Sequence, residues 1–508
     1  MLRTIALTDE SATGVPSGTF ASTFSSVVLS DNGLVAFVGE LQGDGVNASN
    51  NLGLFSGDPA ALSLVARSGS QAPGVDAGVN FVGDFAELSI NSQGQTSFTS
   101  SIVGPGVTFG DDSGLWSEGG GALALIAREG AAAVGLGPGA EYNSFFAGLE
   151  LNDVGSNAFA AGLSGVPVSN NQAIFSEPSG ALALLAQSGT QAPGAPAGAL
   201  FQSFSGPLLS NTDHTAFRAM MTGGGVTSND NQAIWSDRSG SLDLLYRTGD
   251  MAPGTVGDVV FEEFQDLALN NVDQVAIRAL IDGTGIDASN GQGLWAESGG
   301  VLSLVTLSGD AAPGVAGAVF ESFNPPAIND NGRIAFDASL TGAGVDGTNN
   351  RGIWVEDGIS GLALVTQRGD AAPGTPAGVE FDNFSAPLLN DNDQVAFLGF
   401  LRGTGIDATN ARGIWATDPF GVLQLIAREG DTLEVAPGEF REVSLLARPR
   451  ATQLPGLSFS NLSEFAFWAE FTDGTAGVFV SELVAIPEPT AVLLMVAATT
   501  ALAVRRIR

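Results

Sequence analysis

The chain of 508 residues carries one imidazole, His214, and no cysteine, and all 19 of its basic residues are Arg. That inventory leaves out thiolate metal sites, histidine-rich zinc sites, serine-type triads and phosphate loops that need a lysine. His214 lies in a turn where sister segments carry Gln274 and Gln394, and it reads as a solvated turn residue. What remains is oxygen chemistry. Acidic and amide side chains recur in glycine-rich loops as the pairs Asp287 and Asn290, Asp346 and Asn349, and Asp407 and Asn410. Carboxylate and carbonyl oxygens are the ligands that calcium prefers, so these six residues are the candidate calcium set. The same residue types also build Asx-turns. Each loop offers one or two carboxylates, whereas calcium takes six to eight oxygens, so much of any shell would come from backbone and water. Arg67, Arg128, Arg247 and Arg428 end equivalent segments and are expected to pair with nearby acids.

These residues are positioned by a repeat. One aromatic marker runs through Phe55, Trp116, Phe175, Trp235, Trp295, Trp354, Trp415 and Phe479, at steps of 61, 59, 60, 60, 59, 61 and 64 residues. A second runs through Phe37, Phe98, Phe159, Phe217, Ile277, Phe336, Phe397 and Phe467. An Ala-Pro-Gly element recurs at residues 72–74, 192–194, 252–254, 312–314 and 372–374. One unit predicts four short strands: 320–328 interrupted by Pro325-Pro326, 333–340, 352–356 and 362–366. The second strand alternates Ile334, Phe336, Ala338 and Leu340 with Arg333, Ala335, Asp337 and Ser339, the period of a half-buried strand.

A four-stranded sheet of this size must stack on neighbours, and radial stacking gives a β-propeller. The Trp row is expected to pack between sheets. Residues 7–20 align without a gap to residues 307–320, so residues 2–7 stand where a fourth strand belongs, and the last unit lacks one. The expectation is all-β: an eight-bladed propeller of four-stranded antiparallel blades over residues 1–484, closed by its N-terminal strand. A linear string of small β-domains or a β-solenoid is the alternative. Strand parity puts the long second-to-third-strand loops and the blade connections on one face. The turns between first and second, and third and fourth, strands lie on the other.

The turns carry Asn152-x-x-Gly155-x-x-Ala158-Phe159 and Asn329-x-x-Gly332-x-x-Ala335-Phe336, with looser versions at Ser30 and Asn390. This resembles the bacterial NxxGxxAF tandem-repeat surface proteins, which implies display outside the cell. Residues 485–508 resemble a PEP-CTERM sorting signal. Pro487-Glu488-Pro489 precedes an uncharged stretch, 490–504, and a basic end with Arg505 and Arg506. The resemblance implies an exosortase-type processing partner. As a helix, 490–504 would span roughly 22 Å, short of a hydrocarbon core near 30 Å, which suits transient insertion. The Arg cluster would stay cytoplasmic. An export signal is expected upstream of residue 1.

A formal charge of −35 sets the chain against nucleic acid and anionic surfaces as partners. The expected role is that of a non-catalytic, exported, structural or adhesive protein. It would pass through the inner membrane to the cell surface or extracellular matrix and bind polysaccharide or surface proteins through the long-loop face. A carboxylate-dependent glycosidase and a calcium-dependent scaffold are the alternatives. A glycosidase needs two carboxylates in different environments, whereas these acids recur at equivalent positions. The insertion near residues 441–458, with Arg448 and Arg450, lengthens the last unit.

Overall fold

The computed structural model describes residues 2–58, 61–146, 148–356, 361–446 and 458–483. They form eight antiparallel sheets, one per repeat. In blade 6 the first strand is split into Ala318–Phe323 and Ala327–Ile328. It is followed by Ile334–Gly342, Arg351–Glu356 and Leu362–Gln367. The split falls at Pro325-Pro326, which cannot donate to the ladder. The chain is therefore an all-β, eight-bladed propeller of four-stranded blades.

The ring is closed. Leu2–Leu7 pairs antiparallel with the last described strand, Leu2 opposite Ser481 and Leu7 opposite Gly477. Inner parts of the first strands meet their counterparts at every seam, from blade 1 through blade 8 and back to blade 1. These strands therefore surround the axis. The core is likewise divided into eight clusters, each shared by two adjacent blades. The closing cluster joins Ile5, Phe20 and Phe37 to Ala466, Val478 and Val480.

Because each blade is covered by two neighbours, both faces of a second strand are buried. This corrects the half-buried reading of residues 333–340. Phe336 packs toward blade 5, Ala335 packs toward blade 7, and Asp337 is fully buried. Asp337 is held by Arg351 and, at 2.7 Å, by Asn324.

The Trp row packs as expected, and it is tied to the Ala-Pro-Gly element. In all five blades that carry both, the indole N–H donates to the proline carbonyl at 2.9–3.0 Å: Trp116 to Pro73, Trp235 to Pro193, Trp295 to Pro253, Trp354 to Pro313 and Trp415 to Pro373. Each Trp also meets the first-strand Phe edge-on, at a centroid distance of 4.9 Å for Phe320 and Trp354. Gly352 leaves room for the indole, since a Cβ there would lie 2.7 Å from it.

Candidate functional site

On the long-loop face, the candidate calcium residues fold their own loops. Asp287 Oδ1 accepts the Ser289 N–H at 2.8 Å and its hydroxyl at 2.6 Å. Asn290 accepts the Asp287 N–H at 2.7 Å and donates to the Gly285 carbonyl at 3.0 Å. Asp346 with Asn349, and Asp407 with Asn410, repeat the arrangement through Thr348 and Thr409. These hydrogen bonds hold all three carboxyls below the usual carboxylate range. The six residues come together only as pairs within single loops. Among the described residues, no three His, Cys, Asp or Glu side chains converge as a metal would require. Arg128 pairs with Asp111, Arg247 with Asp230 and Arg428 with Asp431, at 2.8, 2.5 and 2.8 Å. Arg67 instead bonds the Asn50 carbonyl at 2.7 Å.

The short-turn face uses the same residue types differently. The first residue of a turn accepts N–H groups from within the turn, as Asn152 does from Ser156. Its amide then reaches the next blade. Asn91 donates to the Asn152 carbonyl, Asn152 to Ser210, Asn270 to Asn329, Asn329 to Asn390 and Asn390 to Ser460, at 2.7–3.1 Å. The second residue's N–H bonds the second side chain of the next blade. Ser92 reaches Asp153, Asp153 reaches Asn211, Asn271 reaches Asp330, Asp330 reaches Asp391 and Asp391 reaches Asn461, at 2.7–2.9 Å. Turns at the ends of the axial strands are thus stitched blade to blade. Asp31, at the same turn position in blade 1, is pushed up to about 6, first by burial and then by the charges of Asp391, Asp153 and Asp330. Burial is also the chief cause of the raised pKa of Asp330.

The fourth turn position is left-handed in all eight blades, at φ between 60° and 88°. It is Gly33, Gly94, Gly155, Asp213, Asp273, Gly332, Asp393 and Ser463 in chain order. Left-handed backbone disfavours non-glycine residues. Each of the three aspartates is tied to the preceding blade: Asp213 to Asn152 at 3.2 Å, Asp393 to Asn329 at 2.8 Å and to Arg333, and Asp273 to the His214 turn. His214 is therefore not merely solvated. Its Nδ1 lies 2.8 Å from Asp273 Oδ2, while Ser210 and Thr212 donate to Oδ1 at 2.5 and 2.6 Å. Arg238 donates to the Asp273 carbonyl at 3.0 Å and grips buried Glu297 with two N–H groups, at 2.6 and 3.0 Å. Glu297 also accepts from the Tyr246 hydroxyl.

Two carboxylates interact on the axial strands of blades 2 and 3. Glu150, in blade 3, has its pKa raised to about 7, first by burial and then by Glu87 of blade 2. Glu87 is also raised by burial, and it accepts the Leu149 N–H at 3.3 Å. Leu208, Ala327 and Leu388 open the corresponding short axial strands of other blades, so Glu150 breaks the eight-fold sameness, whereas Glu87 has an acidic counterpart in blade 5, Asp266, which is paired with Arg278. Sequence reasoning missed the pair because the recurrent loops drew attention away from single departures in the first strand.

The long-loop face also carries exposed apolar side chains on blades 2 and 3. Phe109 and Val168 occupy the same loop-tip position in these adjacent blades and are 97% and 86% exposed. Beside Val168 lies a depression of about 230 Å³ lined by Leu136, Pro138, Val166 and Pro167. Residues 487–489 and 505–506, and the 490–504 segment expected to form a helix, lie outside the described residues. Among those described, no helix is long and apolar enough to cross a membrane.

The profile of a family of unknown function (DUF7453) matches residues 1–116, 101–266, 255–371 and 358–493, and the chain belongs to that family. No curated protein matches the sequence. Among solved structures, the β-propeller domain of the trilobed protease from Pyrococcus furiosus is similar at 10% identity and a TM-score of 0.42, over 80% of this chain and 100% of that one. A polysaccharide lyase is similar at 8% identity and 0.35, over 95% and 98%. A puromycin-hydrolyzing peptidase of Mycobacterium tuberculosis is similar at 12% and 0.34, over 88% of this chain and 58% of that one. The chain thus spans little more than half the length of that peptidase.

At this distance the likeness is one of fold alone, and that fold does not bear out the expectation of a non-catalytic protein. Propellers of this type occur in chains described as peptidases and polysaccharide lyases. The sequence argument against catalysis rested on acids recurring in equivalent environments. Glu150 does not recur, and Asp266, the counterpart of Glu87, is paired with Arg278 instead.

Proposed function

We propose that the chain is an exported propeller of the bacterial surface or extracellular matrix that binds a polysaccharide or a surface protein through its long-loop face. The observation that carries this reading is the pair of loop tips, Phe109 and Val168, almost wholly exposed on neighbouring blades. Single exposed apolar residues are ordinary, whereas adjacent ones at loop tips mark contact surfaces. Hydrogen bonds within each loop keep the surface ordered before a ligand arrives, which lowers the entropic cost of binding. The NxxGxxAF-like turns and the PEP-CTERM-like tail support display, with an exosortase-type enzyme as the processing partner and the inner membrane as a transient station. The last described strand ends on the short-turn face, where the Leu483 N–H bonds the Ser463 carbonyl. A tail held at a membrane or wall would therefore leave the long-loop face outward. A panel of matrix polysaccharides and surface extracts, probed with the chain and with a Phe109→Ser, Val168→Ser variant, tests the reading. Binding lost in the variant without a change in melting supports it, and equal binding by both removes it.

A second reading is carboxylate-dependent cleavage of a polysaccharide at the axial strands, favoured by Glu87 and Glu150. Paired carboxylates whose environments separate their protonation are the usual acid and base of such chemistry. Polysaccharide turnover that vanishes in both Glu87→Gln and Glu150→Gln supports it. Turnover unchanged in either variant removes it.

A further inference from the structure

Seven turns of the stitched ring carry no imidazole, and His214 occupies a position filled by Gln95, Gln274 and Gln394 in other blades. In those blades the glutamine accepts from its own turn's asparagine: Asn91 to Gln95, Asn270 to Gln274 and Asn390 to Gln394, at 2.7, 2.8 and 3.0 Å. Blade 4 replaces both partners, with Ser210 and His214, and turns the bonds outward onto Asp273 of blade 5. Asp273 sits at φ 68°, in the left-handed region, at the position where four other blades have glycine. Four side-chain groups near this seam are acidic: Asp213 and Asp237 of blade 4, and Asp273 and Glu297 of blade 5. His214 acts electrostatically on Asp237, and Arg238 bridges Asp273 and Glu297. The equivalent seam between blades 6 and 7 is held by Arg333 and Asp393, a pair whose cation stays charged at all ordinary pH.

We propose that the seam between blades 4 and 5 is a pH-responsive latch: the imidazolium of His214 ties the Asp273 turn to blade 4, and loss of that proton loosens the seam while the Arg333 seam stays shut. Histidine is the side chain whose charge ordinarily changes between pH 5 and 8, and a neutral imidazole keeps a hydrogen bond but loses the charge attraction. The proton goes to solvent and no bond other than the hydrogen bond is made or broken. A protonated imidazole is attracted to the Asp273 carboxylate 2.8 Å away, so the latch is closed on the acid side. It does not rest on the ligand-binding reading, because the latch and the loop tips lie on opposite faces.

Hydrogen exchange of the intact chain, corrected for intrinsic rates, tests this at pH 5 and pH 8. Protection of the turns at residues 210–215 and 270–275 should fall several-fold on going to pH 8 relative to the turn at residues 390–395, which the Arg333–Asp393 pair holds. His214→Gln, which restores the side chain of sister blades, should abolish the difference, and so should Asp273→Asn, which keeps an acceptor without the charge. Equal pH response at both seams overturns the proposal. So does a response that survives in either variant.

Discussion

The two faces of the propeller spend the same side chains in opposite ways. On the long-loop face, Asp287, Asp346 and Asp407 accept hydrogen bonds from residues two positions along, and each loop closes on itself. On the short-turn face, Asn152, Asn329 and Asn390 close their own turns and also reach across to the next blade. One face is a set of independent loops, free to carry different tips such as Phe109 and Val168. The other is stitched from blade 1 through to blade 8, so that each of these turns depends on its neighbour. A residue's type therefore fixes less than the donors within its reach.

Substitutions in the seam, on the ring and in the long loops should separate the two faces. The largest effect is expected between the faces, where Trp354 fills the seam: Trp354→Ala should cost about 4 kcal/mol, measured by urea unfolding, and weaken both faces of blade 6 alike. Next comes Asn329→Ala on the ring, which removes bonds accepted from Asn331 and Arg333 and bonds donated to Asn390 and Asp393. Leaving such buried groups unpaired should cost roughly 3 kcal/mol, and faster hydrogen exchange should spread into blade 7. Loss confined to blade 6 would contradict the ring.

A smaller effect is expected from pH. Asp31 holds its proton up to about pH 6 in the folded chain, chiefly through burial. A proton bound more tightly when folded adds stability as pH falls through 6 toward the ordinary carboxylate range, and that gain is absent above pH 6. Urea midpoints at pH 7.5 and 5 should show this for the parent chain, and Asp31→Asn should reduce the difference, leaving the part that belongs to Glu150. The smallest effect belongs to Asp287→Ala, whose exposed loop closes on itself. Its midpoint should fall less than that of Asn329→Ala, with changed exchange limited to residues 285–291.

Much of the architecture could be read from spacing. The four strands, the break at Pro325-Pro326 and the strand role of residues 2–7 are local or periodic features. The Trp row and the Ala-Pro-Gly element occur in the same five blades, a visible sign of their hydrogen bond. The Asx loops were also readable, because Ser289, Thr348 and Thr409 stand two residues after each aspartate, as donors should. The stitched ring was not, since its bonds join residues about 60 positions apart whose meeting depends on closure. For the same reason, the burial of Asp337 and the partnership of His214 with Asp273 had no local signature.

The claim beneath all of this is that the two ends of the described chain form one sheet. The chain has no cysteine, so Leu2→Cys with Ser481→Cys introduces the only possible disulfide. Opposed residues of antiparallel strands lie within the Cα separation that a disulfide spans. Mild oxidation of dilute protein should give a monomeric, internally crosslinked chain with a higher melting temperature. Chains that stay reduced, or crosslink only to one another, would contradict the closed ring.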